Sequence, residues 1–248
     1  MTNSERFVTP YRKLVEPPGE ALPDWQLLAK LARELGFGHA FAWGSAAEIF
    51  DEFRRLTAGT DCDLSGITHA RLEKGPLQWP CPHEDHPGSA RRYIERFPTS
   101  SGRARFFPVQ PIPPAERTSR EFPLAMMSGR LKPHWHTRTR TRWSANLENR
   151  APEPVLEIHP DDARRTGVVD GGFAEVRSRR GEAVVQVRVT AEITQGTVFL
   201  PFHWTRSDGP QKPANNLTHD AVDPLSRQPE LKHCAVRVRS LRTPGGTS

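Results

Sequence analysis

The chain has 248 residues, 35% of them hydrophobic and 26% charged, with 24 prolines and a formal net charge of +6. This is enough for one large domain or two modest ones, with a composition that fits a globular protein rich in loops. No run approaches the roughly 18 consecutive apolar residues of a membrane helix, and "MTNSERFVTPYRK" carries no apolar core behind its charges, so neither a membrane span nor a secretory leader is expected. Cys62, Cys81 and Cys234 are odd in number and scattered, which argues against a disulfide framework and for a reducing compartment, the cytoplasm. Positive and negative charges balance over residues 1–119, so the whole basic excess lies in 120–248. Such a half suggests an anionic partner: nucleic acid, a phosphorylated cofactor or an anionic substrate.

Along the chain, residues 1–23 lack periodicity and read as an extended connector. Trp25, Leu28, Leu31, Ala32 and Leu35 then fall at helical spacing, with Asp24 as the expected N-cap and Gly36 and Gly38 as the stop. A second helix starts at Ser45 with Glu48 completing a capping box, and Ile49, Phe50, Phe53 and Leu56 give its apolar stripe. Residues 66–123 are punctuated by proline and glycine and suit a segment wrapped on a larger body. The second half changes character. "PLAMMSG" and "PVLEIH" read as strands, and "PDDARRTG" as a short helix ended by Gly167. "FAEVRSRRGEAVVQVRVT" reads as a hairpin turning at Gly181, with Val185, Val187 and Val189 on one face. "GTVFLPFHW" and "CAVRVRS" add two strands, and short strands with tight turns suggest a small closed barrel.

The densest chemistry sits in "SGRLKPHWHTRTRTR", Ser128 to Arg142. The pair His134 and His136, or Cys81, His83 and His86 in "CPHEDH", would each need a second half to complete a zinc site, and neither has a convincing one. Arginines beside Trp135 and Trp143 suit nucleic acid, but the aromatics are not interleaved through a basic stripe. No G-x-S-x-G or phosphate loop of the G-x-x-x-x-G-K type is present. A loop that holds an anion fits best. Gly129 lets a ligand approach the backbone, Arg130 offers a planar donor fork, and "HWHT" adds imidazoles and a hydroxyl. An ordinary polar loop stands as the alternative.

"SGRLKPHWHT", then "EPVLEIHPDDARRTGVVDGGFAEVRSRRGEAVVQVRVT", then "GTVFLPFHW" resembles the molybdopterin-dinucleotide-binding domain of the dimethyl-sulfoxide-reductase superfamily, with Ser128 in place of the usual threonine. The closing "NNLTHDAVDPLSRQPELKHCAVRV" and the upstream "GPLQWPCPHEDHPGSARRY" and "FPTSSGRARF" look like assimilatory nitrate reductases, with formate dehydrogenases as the neighbouring alternative. The resemblance implies a mixed α/β chain. Residues 1–118 would be an incomplete helix-and-loop remnant of an α/β domain, under-packed and showing apolar patches, and 119–248 a double-psi β-barrel. It implies binding of molybdopterin guanine dinucleotide, as the bis-MGD molybdenum cofactor, through Asp24, Ser128, Gly129, Arg130, Leu131, Lys132, Pro133, His134, Trp135, His136, Thr137, Phe202, Asn215 and Lys232.

Phe202 sits in an apolar strand and reads equally as core, Trp135 reads more as a packing anchor, and the three cysteines are bystanders. The chain resembles roughly the last third of a catalytic subunit. The 4Fe-4S cluster and the molybdenum ligand of the full enzyme would lie elsewhere, since three scattered cysteines do not make a four-iron site. The implied partners are the remainder of that subunit, or a complementing chain, and nitrate, reduced to nitrite, with neither nucleic acid nor membrane. A pterin-binding module without catalysis, or the inert product of a broken gene, is the remaining reading, and the chain alone is expected to be inactive.

Overall fold

The computed structural model describes residues 1–241, so the end of the expected barrel range, 242–248, lies outside the described residues. Contacts divide the chain after Pro108 into two units. Residues 109–118, placed by sequence with the first part, belong to the second, because the Glu116 carboxylate pairs with Arg179 and Arg180 and accepts the Ala235 N–H at 2.9 Å. Among the described residues no helix is long and apolar enough to cross a membrane.

In the first unit, the two-residue strands β1 (Phe7–Val8) and β2 (Leu77–Gln78) pair antiparallel. Between them lie α1 (Asp24–Glu34), α2 (Ala46–Leu56) and α3 (His69–Leu72). Val8, Leu64, Ile67, Leu72 and Cys81 form a small core. The long loop after β2 is held by half-buried arginine donors instead of secondary structure. Arg6 donates to the carbonyls of Ser89 and Ala90 (2.9 and 3.0 Å), and Arg71 to those of Gly66 and His86 (2.6 and 2.7 Å).

Two sequence expectations change here. Asp24 is the first helical residue and Pro23 takes the cap position, with no side-chain cap. Proline's fixed φ suits that extended position, and the Asp24 carboxylate still favours the positive helix end. Ser45 does cap α2, accepting from Glu48 N–H at 3.3 Å, but the Glu48 carboxylate reaches back to Gly44 N–H at 2.9 Å instead of closing the expected box on Ser45 N–H. Part of each helix stripe is uncovered: Leu28, Leu31 and Leu35 on the first, and Phe53 and Leu56 on the second, are all more than half exposed, while Ala32 is buried and Phe50 packs on the small core.

The second unit is a closed six-stranded barrel. Its strands are β3 (Leu124–Gly129), β4 (Val155–Ile158), β5 (Phe173–Arg177), β6 (Glu182–Val189), β7 (Thr197–Pro201) and β8 (Cys234–Ser240), in the order β3-β7-β4-β6-β5-β8. β3 pairs parallel with β7 and β4 parallel with β6, and the other neighbours are antiparallel. These two parallel crossings within an otherwise antiparallel ring are those of the double-psi barrel expected from the sequence. Alternation puts Leu124, Met126, Leu156, Ile158, Val176, Val185, Val187, Val198 and Leu200 inside, while Gln186 and Arg188 face out. Burying such β-branched and aliphatic side chains contributes about 1.5–3 kcal/mol each. α4 (Pro160–Thr166) ends on Gly167, whose φ of 71° is the left-handed turn that glycine adopts without strain.

Candidate functional site

The register brings the ends of β3 (Gly129) and β7 (Pro201) and the starts of β4 (Val155), β6 (Glu182) and β8 (Cys234) to one rim of the barrel. The expected site residues of this unit gather there. Ser128 is buried and its hydroxyl donates to Leu231 O at 2.5 Å. Phe202 N–H donates to Gly129 O at 3.1 Å, and Lys232 Nζ lies 3.7 Å from where a Gly129 side chain would begin. The segments 128–131, 202–203 and 231–232 therefore meet. Asn215 is exposed on the short turn Ala214–Asn216, which Asn216 ties to Glu182 O on the same rim. Asp24 belongs to the first unit and is exposed. Phe202 is half-buried and packs partly against the barrel core.

The loop after β3 alternates between anchors and free donors. His134 is buried, its Nε2 donating to Ala151 O at 2.6 Å, with Nδ1 3.3 Å from the Thr141 hydroxyl. Arg130, Lys132, Trp135, His136 and Thr137 are exposed, while Leu131 and Pro133 are half-buried. Arg130 lies 5.4 Å over the Trp135 ring. Arg130, Lys132 and Lys232 make no ion pair among the described residues. Beside the loop a cleft of about 460 Å³ is lined by Leu131, Lys132, Pro133, Arg150, Glu153 and Arg188 among others.

Two residues outside the expected site hold this loop. His203, fully buried, accepts Leu131 N–H at Nε2 (2.7 Å) and donates from Nδ1 to His136 O (2.5 Å). Arg138 is buried, pairs with Glu148 (2.7 Å) and Asp208 (2.6 Å), and stacks 4.7 Å over Trp204. The signal for His203 lies in "LPFHW", directly after Phe202. Arg138 is one arginine of an apparent run, and nothing local separates it from Arg140 and Arg142.

Gly129 is required for space. A Cβ there would sit 2.6 Å from Cε2 of Phe199, so Gly129→Ala is expected to cost about 1–3 kcal/mol through overpacking. Urea denaturation of this variant, and of the same variant carrying Phe199→Leu, measures the clash. Recovery in the double variant assigns the loss to that ring, and no loss in the single variant refutes it.

Known proteins match this architecture. The "Molydopterin dinucleotide binding domain" family model matches residues 124–235. The formate dehydrogenase subunit alpha of Methanocaldococcus jannaschii is 40% identical over 97% of this chain, the nitrate reductase of Synechocystis sp. 41% over 96%, and the assimilatory nitrate reductase catalytic subunit of Bacillus subtilis 38% over 96%. The chain spans about a third of the length of these curated relatives, 34%, 34% and 33%. The acetylene hydratase structure from Pelobacter acetylenicus shares the fold, with a TM-score of 0.70 and 18% identity over 95% of this chain and 35% of its own. Residues 124–235 are thus a molybdopterin dinucleotide-binding domain, and nearly the whole chain is similar to part of the nitrate reductases and formate dehydrogenase alpha subunits of these organisms.

Proposed function

We propose that residues 128–137, with Phe202, Asn215 and Lys232 on the same rim, hold the dinucleotide of molybdopterin guanine dinucleotide as one wall of a nitrate reductase active site. The observation that carries this is the division of the loop. Ser128, His134 and Arg138 point inward as anchors, and Arg130, Lys132 and Lys232 stay exposed without an ion-pair partner among the described residues. That donor set fits the group. Cations and a guanidinium fork suit a diphosphate. When bound, the cofactor supplies two-electron redox chemistry at molybdenum, while the protein binds and orients it and tunes its electrostatics. GDP serves as a probe of the nucleotide half. Replacing Arg130 and Lys132 together with alanine is expected to weaken GDP at least tenfold in calorimetric titration, which is about 1.4 kcal/mol. Unchanged affinity would refute the site.

Nitrate as substrate is supported by the closing segment, Asn215 to Val238, and by similarity to nitrate reductases from Synechocystis and Bacillus subtilis. A second reading, formate oxidation, is supported equally by the similarity to the Methanocaldococcus subunit. The partner in either case is the remaining two thirds of such a subunit, and the uncovered apolar faces of α1 and α2 support it. The three free cysteines support a reducing, cytoplasmic setting for nitrate assimilation.

The test expresses the chain with and without that remainder in a host that makes the cofactor, and assays molybdenum and guanine nucleotide. Cofactor only with the remainder supports the proposal, cofactor on the lone chain supports a pterin module instead, and none in either case refutes cofactor binding. Viologen-linked nitrate reduction against formate oxidation then separates the substrates. The lone chain is expected to do neither.

A further inference from the structure

We infer that His203 is the positioning residue of this cofactor loop: one buried imidazole clasps the backbone at both ends of Leu131–His136 and holds the exposed donors in register. The inference rests on the cofactor reading above and adds what shapes the loop and what loosens it.

Both ring nitrogens are committed. Leu131 N–H can only donate, so Nε2, 2.7 Å away, carries no proton; His136 O can only accept, so the proton is on Nδ1, 2.5 Å away. The imidazole is therefore neutral and has no polar atom left for a ligand. It acts through the loop. The loop needs such a hold, because His136 (φ 44°) and Arg138 (φ 61°) are non-glycine residues in left-handed conformations, which persist only where the surroundings fix them. His203 meets the first of these at its carbonyl, and the Glu148 and Asp208 pairs fix the second.

The same arrangement is sensitive to acid. A proton on Nε2 would face Leu131 N–H with another donor. Apart from the His136 carbonyl, the surroundings of His203 resist that charge: it is buried, the His134 ring is 5.5 Å away, and Arg130 and Arg138 lie nearby. The carboxylates of Glu148 and Asp208 are already paired with Arg138 and make no contact with His203. Burial first, opposed by the bond to His136 O and reinforced by these positive neighbours, holds the imidazole below the ordinary histidine range. With the clasped-state value depressed, the clasp is at full strength above about pH 6.5, the unperturbed histidine value, and weakens as pH falls below it. Anion sites built from exposed histidines and cations tighten on acidification. This one is expected to loosen through His203.

The experiment uses the full chain with ¹⁵N-labelled histidine. At pH 7.5 the His203 resonances are expected to show the Nδ1–H tautomer, and the Leu131 amide slow hydrogen exchange; a charged ring or the Nε2–H tautomer overturns the inference. Three variants then grade the clasp. His203→Gln keeps an acceptor near the Nε2 position, His203→Asn a donor near the Nδ1 position, and His203→Phe neither. GDP affinity is expected to fall at least tenfold in His203→Phe and less in the other two, and wild-type affinity in His203→Phe overturns the role. In a His136→Gln background, which removes the competing surface imidazole, affinity is expected to fall more steeply between pH 7.5 and 5 with His203 than with His203→Gln, whose slope carries the titration of the GDP phosphate itself. Equal slopes also overturn it. If wild-type protein shows the expected tautomer and a protected Leu131 amide but binds no GDP, the cofactor reading has failed, and the role built on it fails with it, while the clasp itself stands. Should His203→Phe not fold, the wild-type resonances and the pH profile still decide.

Discussion

Arg138→Met is expected to destabilise the barrel unit by about 3–5 kcal/mol, the loss found when one partner of a buried ion pair is removed and the other charge is stranded. Methionine keeps much of the stem that packs on Trp204 but strips both carboxylates of their counter-ion. The arginine side chain is only 5% exposed, with Asp208 at 13% and Glu148 at 28%, so water restores little. The two acids do not suffer equally. Asp208 keeps the Thr205 N–H at 2.8 Å and its hydroxyl at 3.1 Å, whereas the Glu148 Oε2 atom is already buried without a partner. Adding Glu148→Gln to Arg138→Met should therefore recover more stability than adding Asp208→Asn.

The pH dependence has a definite sign. Burial pushes the Asp208 carboxyl up, but Thr205 and the Arg138 guanidinium outweigh it and hold the group below the usual carboxylate range. A depressed carboxylate gives stability above its unfolded value and loses it as pH falls. Without Arg138 part of that dependence is gone, so the gap between variant and wild type should hold from pH 7 down to the ordinary carboxyl value of 3.8 and narrow below it. Urea denaturation across that range is the measurement. A loss under 1 kcal/mol at pH 7 would mean that the network is not structural.

The barrel was legible because a half-buried strand writes its burial into alternate residues. The run Ala183, Val185, Val187 against Gln186 and Arg188 admits one register, and Gly167 and Gly181 mark where the chain must turn. The first unit was less so. An amphipathic helix says that a face wants covering and not what covers it, so Leu28, Leu31 and Leu35 suggested a stripe that the structure leaves exposed. The boundary moved for a related reason. Glu116 stands in a proline-rich stretch without periodicity, and its partners Arg179, Arg180 and Ala235 are more than sixty residues away. Arg138 shows the same limit inside the site, since its carboxylates lie 10 and 70 residues along the chain and only the fold sets it apart from Arg140 and Arg142. Local pattern carried the scaffold and the loop's composition. The assignment of anchors and free donors within the loop depended on distant partners.

Glu116→Gln carries the second large effect, a loss of about 2–3 kcal/mol at pH 7 that disappears in acid. Burial raises the Glu116 carboxyl, yet bonds from Arg180, Ala235 N–H and Arg179 overcome it and bring its pKa to about 2, against 4.5 for the free group. At 1.36 kcal/mol for each pKa unit this linkage amounts to about 3 kcal/mol, trimmed because Arg179 is half exposed and its pair is screened by salt. The stabilisation is complete above pH 4.5 and is lost as pH falls towards 2, so the wild-type and variant stability curves should converge over that window.

A second readout comes from the neighbouring thiol. Cys234 is buried, which pushes its pKa up to about 11; Arg180 pulls it down and the Glu116 charge adds to the rise. Removing that charge frees Arg180 to favour the thiolate and loosens the start of β8, where Glu116 holds Ala235 N–H. Cys234 in Glu116→Gln is expected to alkylate faster than in the wild type at pH 8, with exposed Cys62 as the internal reference for reagent access. Faster alkylation together with converging acid curves would show that a residue outside the strands closes the barrel at β8. Equal alkylation with an unchanged melting temperature would instead leave 109–118 as a segment lying on the barrel without holding it.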